Sequence, residues 1–315
     1  MGGYDMKVMI LAGGLSHERD VSIRSGRRVR EELEERGIKA KVHDVDTALL
    51  PILRSLEDTV VWPLLHGVSG EDGSIQALLE LVDAPFVGTG SREARVAWVK
   101  PVAKAVFARA GVSTPDYVTL PQSLFREVGA KHVLSAILSK FTLPLMVKPA
   151  RGGSALGVSL VTEKASLSQA LVHCFAYGDM ALIEQAIPGT EVAVSVIGHG
   201  DKASALPGVE VVCDGPYDYD ARYNPGRVEY FAPARLDADR ASAVEAAALA
   251  VHRTMGLRDL SRIDMILDSE GVAQVIDINI APGMTETSLF PQAVEAAGHE
   301  LGELYAQLVE GAFRR

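Results

Sequence analysis

Apolar residues in this chain come in short runs that stop at glycine. Residues 7–12 (KVMILA) end at Gly13-Gly14, and residues 59–65 (TVVWPLL) end at His66-Gly67. Both are strand-length and rich in branched side chains. Between them, over residues 21–36, apolar positions recur at helical spacing and close at Gly37. Residues 74–81 read as a helix and residues 84–87 as a further strand before Gly88. Strands alternating with helices predict a small parallel α/β layer over about residues 6–98. In such sheets ligands sit beyond the carboxyl ends of the strands, where the two glycine-bearing loops emerge.

The pattern then changes. A helix is predicted over about residues 100–111, followed by Pro-bearing connections and an apolar run at 143–149 (LPLMVKP). The glycine-rich stretch 151–157 (RGGSALG) lies between that run and a strand-like one at 158–161, which suits a flap between strands better than a helix cap. A helix near 166–177 leads to 181–184 (ALIE), a strand with a carboxylate at its exit. From about Glu191 short strands alternate with one alanine-rich helix (238–255) and a closing helix (301–313). No internal repeat or low-complexity segment interrupts this order.

The segment 261–283, SRIDMILDSEGVAQVIDINIAPG, carries most of the candidate chemistry. Asp268-Ser269-Glu270-Gly271 is a turn between two strand-like runs. A four-residue loop would set Leu267 opposite Val272, Asp264 opposite Val275 and Arg262 opposite Asp277. The side-chain period of two then gathers Arg262, Asp264, Asp277 and Asn279 on one face. Ile263, Met265, Leu267, Ile276, Ile278 and Ile280 fall on the other, the face expected to be buried. A slip of one residue would separate the four polar groups. Two carboxylates and an amide oxygen are hard-oxygen ligands suited to magnesium carrying nucleotide phosphates. The same residues would also suit a solvated hairpin face with one Arg–Asp cross-strand pair; the tight turn at Pro282-Gly283-Met284 favours a site.

Neither a GxxxxGK[ST] loop nor a complete dinucleotide fingerprint is present, since Gly88-Thr89-Gly90 lacks the third glycine. Lys100 at a helix start, Lys148 at a strand end and the Gly152-Gly153-Ser154 flap are the alternative phosphate cradle. Residues 184–191 (EQAIPGTE) could offer backbone groups to adenine and a carboxylate to ribose. Glu18, in GGLSHERDVS, sits beside a helix N-terminus, and residues 217–223 (YDYDARY) form an aromatic-acidic loop carrying Arg222 and Tyr223. His66 reads equally as a strand-end hydrogen bonder or a catalytic group.

Composition narrows the partners. Among 315 residues, Lys plus Arg number 31 against 41 for Asp plus Glu, a net charge of −10. That opposes nucleic-acid backbone binding and adhesion to anionic membranes. Cys174 and Cys213 are too few for a disulfide framework or a four-thiolate zinc site. No apolar run approaches bilayer-spanning length. Residues 1–5 have no apolar signal-peptide core and read as a tail or tag remnant. A cytoplasmic protein is expected.

In this order, GGLSHERDVSIRSG, HGVSGEDGSIQALLEL, VGTG, VKPARGGSALGVS, IEQAIPGTE, YDYDARY, SRIDM and INIAPGMTETSLFP make the chain resemble the D-alanine–D-alanine ligases of the ATP-grasp superfamily, from about Lys7 to the last helix. The resemblance implies an α/β (α+β) ATP-grasp fold of three domains: a parallel α/β substrate-binding domain at 6–98, a central domain with the flap at 99–190, and a C-terminal domain with the metal site at 191–315. It implies ATP and two magnesium ions (manganese as a substitute), D-alanine as substrate, a homodimer, and a role in peptidoglycan precursor synthesis.

By the same resemblance Lys100 and Lys148 contact phosphates, Arg222 reaches the γ-phosphate, and Glu184, Ile187 and Glu191 surround adenine and ribose. Asp264, Asp277 and Asn279 hold magnesium. Glu18 binds the first D-alanine's ammonium near His66, and Ser154, Tyr223 and Glu18 close the site as a hydrogen-bonded triad. Arg262 and the Gly283 N–H form an oxyanion hole, while Ser288 and Leu289 fix the second D-alanine. The chain departs from the family pattern at Asp277, where glutamate is usual, at Ile280-Ala281, at Gln185 and Arg222, where lysines are commoner, and at Ala155 in the flap. These departures leave room for a member that joins D-alanine to another D-amino or D-hydroxy acid. A catalytically silent nucleotide-binding protein would be expected to have lost one of Glu18, Lys148, Arg262, Asp264 or Asn279, and all five are present.

Overall fold

The computed structural model describes residues 6–213 and 228–315. Its first sheet joins β1 (Lys7–Leu11), β2 (Lys39–His43) and β3 (Thr59–Pro63) in the order β2-β1-β3, all parallel as expected. Strand β1 is apolar on both faces because each face has its own cover. Val8 and Ile10 meet Val29 and Leu33 of the helix Arg19–Glu35, whereas Met9 and Leu11 meet Leu49, Leu53 and Leu79. The helix Leu301–Phe313 closes the Val8 side: Tyr305 stands edge-on to Trp62 at 5.2 Å between ring centroids. The chain's last helix therefore covers its first sheet.

Residues 84–87 do not form the expected strand. Phe86 makes a single bridge to Val61, with Val61 N–H donating to Pro85 O and Val87 N–H to Val61 O. Pro85 has no N–H to extend the ladder, and Gly88 turns the chain away at φ +111°.

The second sheet contains β4 (Tyr117–Pro121), β5 (Leu145–Pro149), β6 (Ser159–Val161) and β7 (Met180–Gln185) in the antiparallel order β4-β7-β5-β6. The glycine-rich stretch is the β5–β6 connection, a flap as expected. Its root is tied down by Lys100 N–H donating to Ala150 O at 2.9 Å. The helix Lys100–Arg109 therefore begins beside the strand that carries Lys148.

The third sheet holds β8 (Thr190–His199), β9 (Ser204–Ala205), β10 (Val209–Cys213), β11 (Val228–Phe231), β12 (Arg258–Leu267) and β13 (Ala273–Asn279). Its order is β11-β10-β8-β12-β13, with β9 paired to β8. The helix Ala238–Thr254 lies against it, and Ala103 and Phe107 of the helix Lys100–Arg109 join the same core.

The β12–β13 hairpin corrects the expected register. Its loop has five residues, because Leu267 pairs with Ala273, and Asp268 N–H bonds Val272 O at 3.1 Å. One added residue alone would put Asp277 and Asn279 on the opposite face from Arg262 and Asp264. A bulge restores the parity: Met265 faces Val275 but Asp264 faces Asp277, leaving Ile276 unpaired. Arg262 then faces Asn279, not Asp277. Val275 takes the core position expected of Ile276, which is half-buried and turned to the polar side.

Candidate active site

The four residues of the hairpin face lie where two cavities meet. The first is lined by Glu18, His66, Lys100, Ser154, Arg262, Asp277, Asn279, Gly283, Ser288 and Leu289, all singled out in the sequence. The second, about 490 Å³, is lined by Lys148, Glu184, Ile187, Glu191 and Asp264 together with apolar Met146, Leu160, Ile266 and Ile276. Lys100, Asp277 and the flap residues Gly152 and Gly153 belong to both. Arg222 and Tyr223, with the whole YDYDARY loop, lie outside the described residues.

Glu18 is the N-cap residue of the helix Arg19–Glu35, and its side chain accepts a hydrogen bond from the Ser154 hydroxyl across the flap. Ser154 and Ala155 adopt left-handed backbone, with φ +49° and +57°, which tips the flap toward Glu18. Gly67 must lack a side chain because a Cβ there would stand 2.5 Å from Glu18 Oε2, and its φ of +68° is also a glycine conformation.

His66 is a structural link. Its Nδ1 lies 2.9 Å from Ala281 O, and its Nε2 faces the Ser25 hydroxyl, which also accepts from Met284 N–H at 3.0 Å. Burial pushes the imidazole pKa down to about 4, so the ring is neutral at pH 7. It ties the first sheet to the Pro282-Gly283-Met284 turn, and so fixes where the Gly283 N–H lies.

Glu71 was missed in the sequence, although the string HGVSGED contains it. Buried behind Gly67, it accepts that residue's N–H at 2.7 Å. Burial, and after it the Glu18 carboxylate, raises its pKa well above the ordinary range. Two buried carboxyls beside one another favour one proton between them. Trp98, Tyr230, Thr285 and Thr287 also line the first cavity without having been anticipated. Thr285 N–H donates to Ser288 Oγ at 3.0 Å, which holds Ser288 at the start of the helix Leu289–Ala296.

Cations and carboxylates are already paired across the junction. Lys100 Nζ meets Asp277 Oδ1 at 2.5 Å. Burial works against the ionised form of Asp277, but Lys100 and Lys148 outweigh it and hold the pKa below the usual value. Lys148 Nζ lies 2.5 Å from Glu184 Oε1 and donates to Ile276 O at 3.0 Å. Glu184, 2% exposed, is likewise kept ionised against burial by Lys148 and Lys104. Arg262 holds Asp264 in a bidentate pair, and Asn279 Oδ1 accepts Ala281 N–H at 2.8 Å.

The donor set on the hairpin face is two carboxylates and one amide oxygen, on residues that line one or both cavities. That suits a hard divalent cation with open positions for phosphate oxygens. A nucleotide base would find an apolar slot in the second cavity, with lysines at its inner end. A small zwitterion would find a carboxylate at Glu18 and a guanidinium at Arg262 in the first.

Residues 106–310 match the family model described as D-ala D-ala ligase C-terminus, and residues 39–89 the one described as D-ala D-ala ligase N-terminus. The chain is 35% identical over 306 residues to the D-alanine–D-alanine ligase of Pelotomaculum thermopropionicum, covering 97% of this chain and 96% of that protein. It is 36% identical over 307 residues to the enzyme of the same name from Anaeromyxobacter dehalogenans, with the same coverage. Among solved structures, VanG D-Ala:D-Ser ligase from Enterococcus faecalis superposes with a TM-score of 0.85 at 25% identity, covering 98% and 99% of the two chains. The Bacillus anthracis D-alanine–D-alanine ligase complexed with ATP gives 0.80 at 25% identity, covering 98% and 97%.

Proposed function

Because the chain belongs to the D-alanine–D-alanine ligase family, we infer that it is an ATP-dependent ligase that joins two D-alanines through a D-alanyl phosphate for peptidoglycan precursor synthesis. The observation that carries this reading is the single polar face of Arg262, Asp264, Asp277 and Asn279 at the meeting point of two cavities. In this reading one cavity takes the nucleotide and the other the small zwitterion.

In this reading the nucleotide base occupies the slot lined by Ile187, Ile266 and Ile276, with Glu184 and Glu191 at adenine and ribose. Lys100 and Lys148 turn toward the phosphates while remaining partnered to Asp277 and Glu184. Magnesium held by Asp264, Asp277 and Asn279 would neutralise phosphate charge during transfer. Glu18 binds the first D-alanine's ammonium and points its carboxylate at the γ-phosphate. Transfer then makes the carboxylate an electrophile.

The amine of the second D-alanine, oriented by Ser288 and Leu289, attacks the acyl phosphate. Arg262 and the Gly283 N–H receive the oxyanion, for which donors aimed in advance contribute about 3–4 kcal/mol each. The flap covers the site through Ser154 and Glu18, excluding water that would hydrolyse the acyl phosphate.

Three structural units at 6–98, 99–190 and 191–315, with one sheet centred in each, belong to the same reading, as do a homodimer and a cytoplasmic location. Among the described residues no helix is long and apolar enough to cross a membrane.

The test is to mix purified protein with ATP, magnesium and a panel of D-amino and D-hydroxy acids and to identify products by mass. D-Alanyl-D-alanine with ADP and phosphate is the expected result. The likeness to a D-Ala:D-Ser ligase supports a second reading, a mixed-dipeptide ligase, for which D-serine or another acceptor would outcompete D-alanine at the second position. ATP turnover that ignores D-alanine would overturn both.

A further inference from the structure

The bulge at Ile276 is enclosed by a ring of side chains. Strand β13 is the edge of its sheet, and the outward backbone groups next to the bulge are bonded from outside the hairpin. Val275 N–H donates to Ser113 O at 2.9 Å, and the Thr114 hydroxyl donates to Val275 O at 2.8 Å. The next carbonyl, Ile276 O, accepts from Lys148 Nζ at 3.0 Å. Thr114 Oγ1 in turn accepts from Lys104 Nζ. Lys104 and Lys148 then meet on the two oxygens of one carboxylate, Glu184, at 2.8 and 2.5 Å.

Lys104 is only 2% exposed and lines neither of the two cavities that meet at the hairpin. Its reach to those cavities is through its partners, Thr114 and Glu184. It sits beside the ring of Tyr117, 5.1 Å from the centroid, on the helix that begins with Lys100. Burying an ammonium this deeply is unfavourable unless every proton has a use, and here its contacts reach the nucleotide pocket and the hairpin at once.

We propose that Lys104 is a positioning residue which, through Thr114 on one side and Glu184 on the other, holds the bulge that brings Asp277 and Asn279 onto the face of Arg262 and Asp264. Glu184 sets the nucleotide end of the ring and the bulge sets the catalytic end. Adenine placement and the register of Asp277 are thereby fixed together. Burial also lowers the Lys104 pKa to about 8, against the pull of Glu184, so the ammonium persists at pH 7.

This inference rests on the ligase reading, and the experiment separates the two. Thr114→Val keeps the shape and the Lys104–Glu184 pair but removes the bond to Val275 O. It is expected to lower kcat for dipeptide formation about tenfold, with calorimetric ATP affinity in the absence of D-alanine unchanged within about twofold. Thr114→Ser should restore kcat. Lys104→Met should lower kcat and also weaken ATP binding about tenfold, because Glu184 loses a partner.

A wild-type kcat in Thr114→Val, or failure of Thr114→Ser to restore it, would overturn the proposal, as would Lys104→Met with unaltered ATP affinity. Should Lys104→Met not fold, the two Thr114 variants still decide. Absence of D-alanine-dependent ADP release in the unaltered protein would count against the ligase reading itself.

Discussion

Arg262 grips Asp264 from two positions earlier on the same strand, Nε to Oδ1 at 2.7 Å and Nη2 to Oδ2 at 2.8 Å. Both side chains are about 10% exposed. In the proposed reading, the guanidinium that would receive the oxyanion is oriented by the carboxylate that would hold the metal, through a bidentate pair.

Arg262→Lys tests whether that orientation matters. Lysine keeps the charge but cannot make two parallel bonds. We expect kcat to fall about a hundredfold while ATP affinity changes less than about threefold, read by steady-state ADP release and calorimetry. Equal losses in both would assign Arg262 a purely structural role.

Ser154→Ala removes the hydroxyl that reaches Glu18 from the flap. Closure should weaken, and water should reach the acyl phosphate more often. The expected signature is ADP formed in excess over dipeptide, together with a higher KM for D-alanine. A ratio that stays at one would show that the flap closes without this bond.

Asp277 stands at both cavities and bonds Lys100. Asp277→Asn should lower turnover at least about a hundredfold and raise the magnesium concentration needed for half-activity. Chelation of divalent ions should stop ADP release, and added magnesium should restore it. Activity that survives chelation would remove the proposed role of Asp264, Asp277 and Asn279.

His66 gives a pH prediction. Its folded pKa of about 4 lies below the ordinary 6.5. The neutral ring therefore contributes stability that is present above pH 6.5 and lost as the pH falls through 4. The full loss is about 3 kcal/mol. Urea unfolding at pH 7 and pH 4.5 should show a steeper decline for the unaltered protein than for His66→Gln, whose amide can still donate to Ala281 O. Parallel declines would mean that other groups dominate.

Local pattern reached a long way into this fold. The runs ending at Gly13 and His66, the helices 74–81 and 301–313, the flap and the hairpin were all legible because neighbouring residues carry their periodicity. The polar face of Arg262, Asp264, Asp277 and Asn279 was legible for the same reason. Its cross-strand pairs were not, because a five-residue loop and a bulge each shift the register by one and the two shifts cancel in facing. Nothing in residues 258–279 alone announces the bulge, since the groups that hold it come from Ser113, Thr114 and Lys148.

The chain by itself determined most of the strands and helices and, within each hairpin strand, which polar side chains alternate onto one face; that the two faces coincide depended on the bulge. Tertiary structure decided the pairings between distant segments: Lys104 with Glu184, His66 with Ala281, and Tyr305 of the last helix with Trp62 of the first sheet. A residue's face follows from its immediate neighbours, whereas the partner of a buried charge depends on which remote segment the completed core brings within reach.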